Sequence, residues 1–200
     1  MRLLPGTKLS EAEIAGMFDV SRQPVRDAFS RLENNDLLLI RPQKRTEVKR
    51  FSLRAIKTAR FVRASVEAEV LRRASRLCGP AGADSLDKQL AEQQVAVDEN
   101  NYERFRELDY HFHKTFCDLG EVEFAAEVIA DNKAQVDRLC VLELTGEKKL
   151  ETLLDDHRQI AHAVTHNDCA TAVETGMRHL SRLDATINAI RDEHTDYFDD

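Results

Sequence analysis

Four side chains in the second half of the chain have the types and spacing to hold a metal ion. In Asp109-Tyr-His-Phe-His113 a carboxylate and an imidazole stand at i and i+4, so on a helix they are neighbours on one face. Phe105, Phe112 and Phe116 form the apolar stripe of that helix, which turns Asp109 and His113 inward and points His111 elsewhere. His157 shares a face with Leu153, Ile160 and Val164, and His179 shares one with Ala172, Gly176, Leu183 and Ile187. Taken singly, each of these histidines reads most simply as a core residue bonded to a backbone carbonyl. Taken together, three imidazoles and a carboxylate are costly to bury unpaired, and one cation would satisfy all four. His162, His166 and His194 lack an apolar setting and are expected at the surface.

Two arginines belong to the same region. Ile56, Ala59, Val66 and Val70 place Arg63 at a core position of a long helix, where something anionic should meet it. The partner is either an internal acid, Glu67 or Glu69, or the carboxylate of a bound small acid paired bidentately. Arg138, in the middle of a later helix, is a second candidate for contacting that acid.

The elements that must position these residues are helices. From Ser52 onward the pattern predicts helices near 53–77, 83–99, 101–119, 122–143, 149–166 and 168–193. The breaks at Gly79-Pro80-Ala81-Gly82, Gly120 and Thr145-Gly146 suit an all-α antiparallel bundle of about six helices. Only seven glycines, four prolines and no tryptophan occur in 200 residues, which disfavours an extensive sheet. Cys78, Cys117, Cys140 and Cys169 show no CxxC spacing and read as packing residues of a reducing compartment.

The first fifty residues read differently. Ser10-Glu11-Ala12-Glu13 has the form of a capping box opening a short helix with Ile14, Ala15 and Phe18 inward. Ser21 is placed to cap a second helix, with Pro24 in its first turn and Val25, Ala28, Phe29 and Leu32 as the buried stripe. Arg22, Gln23 and Arg26 point away from that stripe. Two β-prone runs, 37–40 and 46–48, then bracket the basic connection Arg41-Pro42-Gln43-Lys44-Arg45. Helix, turn, helix and hairpin make a winged helix-turn-helix, so the expected fold is mainly α, with this domain at 1–50 and the helical domain at 51–200.

Charge follows the same division. Residues 1–50 carry ten Lys/Arg against seven Asp/Glu, whereas residues 51–200 carry nineteen against twenty-nine, so only the first quarter suits phosphates. The absence of a long apolar run or a signal-like start leads to the expectation of a cytoplasmic protein that does not engage a membrane.

The string from Leu4-Pro-Gly-Thr through Ala15, followed by Val20-Ser-Arg-Gln-Pro-Val-Arg-Asp-Ala-Phe-Ser-Arg-Leu-Glu33, closely resembles the DNA-binding domain of GntR-family bacterial regulators over residues 3–50. The resemblance implies that Ser21 to Leu32 forms a recognition helix in the major groove of double-stranded operator DNA. Ser21, Arg22, Gln23, Pro24, Arg26 and Arg31 would approach the DNA from that helix, and Lys44 and Arg45 from the wing. An arginine fork matches guanine O6 and N7, and a helix N-terminus favours a phosphate. Two departures from the family pattern stand out. Only Met1 to Leu4 precede Pro5-Gly6, where members usually carry a further helix, which implies a shortened start. Arg45 stands where glycine is usual, a position at which a positive φ would be costly for arginine.

Asp109-x-x-Phe-His113, Asp156-His157-Arg-Gln-Ile-x-x-Ala163 and Met177-Arg-His179-Leu resemble the FCD effector domain of the FadR subfamily, over residues 52–193. Many members of that group hold one divalent ion, zinc or nickel in type, on one Asp and three His. The resemblance maps these onto Asp109, His113, His157 and His179. Such a set leaves coordination positions open for a small organic acid. The leading expectation is therefore a ligand-responsive regulator that binds a palindromic operator as a homodimer and is not an enzyme. A metal-dependent hydrolase and a regulator that senses the metal itself are the alternatives.

Overall fold

A computed structural model describes residues 3–143 and 147–199, with side chains except those of 135, 137, 140–143 and 147–149. The expected break at Thr145-Gly146 and the packing of Cys140 lie outside what is described. Two compact units emerge: residues 1–55 with 190–200, and residues 56–189.

In the first unit, β1 (Lys8–Leu9), α1 (Glu11–Met17), α2 (Arg22–Asn34), β2 (Leu38–Leu39) and β3 (Thr46–Val48) follow in order. The sheet order is β1-β3-β2, both pairings antiparallel. β1 was not anticipated, because two residues carry no readable alternation. Gly6 at φ 81° turns the chain into it, donating its N–H to Val48 O at 2.8 Å. Leu9, Ala15, Val25, Phe29, Leu38 and Val48 form the core. Asp19, at φ 51°, makes the tight connection between the helices.

The structure departs from several local expectations. Ser10 and Ser21 do occupy the N-cap positions with extended backbone, but neither hydroxyl makes a capping bond. Phe18 and Leu32 are exposed, because each lies where its helix ends and turns off the small core. The wing's positive φ falls on Gln43, at 58°, so Arg45 carries no such strain.

The chain ends against this unit. Phe51 N–H donates to Tyr197 O, Asp199 N–H donates to Phe51 O, and the rings of Phe51 and Phe198 lie 5.5 Å apart. Arg50 donates to Asp196 O and pairs with Glu47 at 3.1 Å.

The helices from α3 onward are α3 (Leu53–Leu77), α4 (Pro80–Asp98), α5 (Tyr102–Leu119), α6 (Ala125–Glu143), α7 (Glu147–Thr165), α8 (Cys169–Ser181) and α9 (Leu183–Glu193). In the second unit α4 packs on α5 and α7, and α7 packs on α8. α4 begins at Pro80, in the first turn where a missing N–H costs nothing. The segment 168–193, expected as one helix, divides at Arg182. Its N–H donates to His179 O at 3.2 Å, while the Ser181 hydroxyl donates to Arg178 O at 2.7 Å. That local bond competes with the helical ladder and tightens the turn. Phe112, Phe116, Leu86, Ile160 and Val164 anchor the core beside the histidines. Gly176 lets α8 approach α3, since a β-carbon there would meet Leu71 Cδ1 at 2.4 Å. Among the described residues no helix is long and apolar enough to cross a membrane.

Candidate metal centre and nucleic-acid interface

On the first unit, Ser21, Arg22, Gln23, Pro24, Arg26 and Arg31 are all exposed on or beside α2, and Lys44 and Arg45 are exposed on the wing. Because Ser21 leaves the first-turn amides of α2 uncapped by its hydroxyl, they stay open to an outside acceptor such as a phosphate. Arg26 is folded back as a fork on Glu11 of α1, at 3.2 and 2.9 Å. Arg45 Nη2 stands 3.6 Å from Glu13 Oε1, and Gln23 bonds Asp27 at 2.8 Å. Each of these side chains thus has an acidic partner within the unit. Lys8 and Arg41 join Lys44 and Arg45 around a groove that also involves Leu39 and Glu47. Lys8 was missed because its place depends on β1, whereas Arg41 was visible in the charge run 41–45.

In the second unit, Asp109, His113, His157 and His179 converge from α5, α7 and α8. One ligand atom from each lies within 4.8 Å of the others. The three histidines are buried, as the apolar faces implied, whereas His111, His162 and His166 are exposed. His194 is half-buried and stacks on Tyr197, a contact the apolar periodicity could not reveal.

The partners behind these side chains fix their protons. His113 Nδ1 is 2.9 Å from Glu67 Oε2, and Glu67 Oε1 accepts from Arg63 Nε at 2.7 Å. Burial works against a charged Glu67, but His113 and Arg63 prevail and hold it down at about 2. An ionised carboxylate only accepts, so His113 Nδ1 donates to it and Nε2 is the nitrogen turned toward the cluster. His157 Nδ1 is 2.7 Å from Gln93 Oε1, which assigns its proton in the same way. Both Nε2 atoms are buried without a hydrogen-bond partner, at 3.7 Å (His113) and 3.4 Å (His157) from Asp109 Oδ1. At those distances the contacts are electrostatic rather than hydrogen-bonded. Three potential ligand atoms thus face one another in a buried space.

Asp109 Oδ2 is held by Lys133 Nζ at 3.1 Å. Burial opposes the charge on Asp109, yet Lys133 and the two imidazoles keep its carboxyl well below the ordinary range. Burial also lowers His157 to about 4, against a smaller upward pull from Asp109. His179 Nδ1 lies 3.5 Å from Asp156 Oδ2, and Asp156 is clamped by Arg182. A small cavity beside the cluster is lined by Tyr110, His113, Cys117, Ile129 and Lys133, among others. Burial pushes the Cys117 thiol up to about 11, in keeping with a packing role, and Cys78, Cys117 and Cys169 are free thiols.

Arg63 is buried on its internal acid, the nearer of the two partners foreseen for it, and Arg138 is half-buried on α6. Lys133, Gln93 and Asp156 were not anticipated as partners of the site. Only the helical phase of Gln93 among apolar residues of α4 could have signalled one of them.

Comparison with known proteins agrees with this division of labour. Residues 59–182 match the FCD domain, and residues 1–48 match the bacterial regulatory proteins of the gntR family. The chain is 34% identical over 197 residues to the HTH-type transcriptional repressor RspR of Escherichia coli K12, covering 98% of this chain and 86% of that one. This chain belongs to the GntR family of transcriptional regulators, with an FCD domain. A regulator from an unstable DNA locus of Streptomyces ambofaciens is 30% identical, with 99% and 83% covered. Among solved structures, E. coli McbR/YncC superposes with a TM-score of 0.75 at 17% identity, covering 94% of this chain and 89% of that one. A GntR-type regulator from Rhodococcus gives 0.68 at 20% identity, with the same coverage. At those identities the likeness concerns the fold. The GntR match fits DNA binding by the first unit.

Proposed function

We propose that this GntR regulator binds a palindromic operator as a homodimer, and that its operator affinity is set by a small organic acid at a metal-containing pocket. One divalent ion per subunit, zinc or nickel in type, would be held by Asp109, His113, His157 and His179. The observation that carries this reading is the arrangement of Asp109 Oδ1 and the unpartnered Nε2 atoms of His113 and His157. Buried nitrogens without hydrogen-bond partners beside a carboxylate are costly, and one cation would satisfy all of them together. The ion would polarise the oxygen of a bound acid, as a Lewis acid does.

The chain's own residues do the rest. Glu67 and Gln93 hold two rings in the tautomer that presents Nε2, and Lys133 keeps Asp109 ionised and aimed. Lys133 and the adjacent cavity give an incoming carboxylate a cationic wall, with Arg63 and Arg138 as further candidates to contact it. On the first unit, release of Arg26 from Glu11 would free its fork for a guanine or a phosphate. Action as a dimer fits the reading mode, because one recognition helix spans only a few base pairs, and a cytoplasmic location is part of the same reading, since that is where operator DNA lies.

Metal analysis of chelator-stripped protein after incubation with zinc or nickel tests the site. About one equivalent per subunit is expected, with His113→Ala losing it and His111→Ala retaining it. Wild-type protein that stays metal-free, or equal behaviour of the two variants, would reduce the four residues to an internal polar network.

A further inference from the structure

Asp156, on α7, has no exposed surface, yet it is bound to two different parts of α8 and its end. Its Oδ1 accepts from Arg182 Nη2 at 2.9 Å and faces Arg178 Nη2 at 3.5 Å. Its Oδ2 receives Arg182 Nε in a close contact and lies 3.5 Å from His179 Nδ1. Arg178 has a better acceptor in Gln159 Oε1, at 2.7 Å, so Arg182 is the principal clamp. Arg182 is also the residue at which α8 gives way to α9. One buried carboxylate therefore joins a member of the histidine cluster to a break in the helical chain.

Resting on the reading of that cluster as a metal site, we infer that Asp156, pinned by Arg182, is the positioning carboxylate of His179, and that this pair links the site to the α8–α9 junction. The chemistry follows from the imidazole. With Nδ1 turned toward Asp156, Nε2 is the nitrogen left for an ion, and ligation there fixes the proton on Nδ1. Nδ1 is buried without a hydrogen bond, and Asp156 is the acceptor at hand. Closing 3.5 Å to hydrogen-bond distance moves the ring toward a carboxylate that cannot move alone, because the bidentate guanidinium of Arg182 moves with it. Arg182 donates its own N–H to His179 O, so ring, carboxylate and junction shift as one body. Occupancy at His179 is thereby felt at the start of α9.

The test pairs zinc affinity, by competition with a chromophoric chelator, with hydrogen exchange of the amides around 180–193 in the full chain. In wild type, zinc should slow exchange at the junction. Asp156→Asn should weaken zinc binding by about 10–100-fold, the effect usual for a carboxylate behind a ligating histidine. Arg182→Ala, at a side chain 40% exposed, should keep a measurable zinc site but lose the zinc-dependent slowing, and Arg182→Lys should restore it only in part. Arg178→Ala should behave as wild type. Zinc binding by Asp156→Asn at wild-type strength, or junction exchange indifferent to zinc in wild type, overturns the inference while leaving the metal reading intact. Failure of wild type to bind zinc overturns both. Should Asp156→Asn fail to fold, the Arg182 pair decides the link.

Discussion

Acid should unfold the metal-stripped protein through His157, and the window of that loss follows from its surroundings. His157 has no exposed surface, stacks on Phe112 with ring centroids 4.5 Å apart, and is lowered by burial to about 4. Its ordinary value is 6.5, so between pH 6.5 and 4 the unfolded chain takes up a proton that the fold refuses. The contribution is fully present above pH 6.5 and is lost as pH falls toward 4. A shift of this size corresponds to about 3 kcal/mol at most, with a slope approaching 1.4 kcal/mol per pH unit. Glu67 adds a separate loss at lower pH, because its stabilisation holds above its ordinary 4.5 and disappears as pH falls toward 2. Urea titrations of chelator-treated protein at pH 7.5, 6.5, 5.5 and 4.5, beside His157→Gln, isolate the first window. The variant should lose little stability across it while wild type loses most of the 3 kcal/mol. Parallel curves for the two proteins would refute the assignment. With zinc present, stability at pH 7.5 should rise and its pH dependence steepen, since ligation requires neutral imidazoles.

Other outcomes follow from single contacts. Arg26→Ala should weaken operator binding by about 5–150-fold in a polarisation titration, the loss of a base-reading arginine, with circular dichroism and metal content unchanged. Glu67→Ala removes the acceptor of both Arg63 Nε and His113 Nδ1 in a buried setting, so thermal or urea unfolding should show a loss of about 3–5 kcal/mol together with weakened zinc binding. Gly176→Ala forces a methyl against Leu71 and should cost about 1–3 kcal/mol in the same unfolding assay. The 52–200 fragment should sediment as a dimer at tens of micromolar while the winged helix alone stays monomeric, and a monomeric fragment would remove the second domain as the source of pairing.

The ligand-bearing face was legible because helical periodicity is a local property. Asp109 and His113 fall in one phase with Phe105, Phe112 and Phe116, and that phase survives into the structure, with the out-of-phase neighbours Tyr110 and His111 exposed. The partners were not legible, because each belongs to another helix and is of a type common on surfaces. Lys133 reaches Asp109 from α6 with nothing in its spacing to announce the contact, and the inward phase of Gln93 on α4 says that it is buried but not that it meets His157. Glu67 was foreseen as an acid for Arg63, since i and i+4 are neighbours, but its second oxygen on His113 needed the packing of α3 against α5. The same distinction explains Phe18 and Leu32. Periodicity assigns them to the buried stripe, but a stripe stays buried only as far as the opposing elements extend, and α1 and α2 each outrun theirs.

The tail presents the opposite case, a contact with no periodic signal at all. His194 to Asp199 contains no helix or strand pattern, yet Phe51 and Phe198 pair through two backbone hydrogen bonds and a ring contact. What makes this pairing specific is polar as well as apolar. Arg50 donates to Asp196 O and faces Asp199, so the one side chain that braces Glu47 on β3 also fastens the chain's end. An exposed ion pair of this kind contributes little stability by itself. Its weight comes from geometry, because Arg50 cannot keep Glu47 and the tail in place independently of each other.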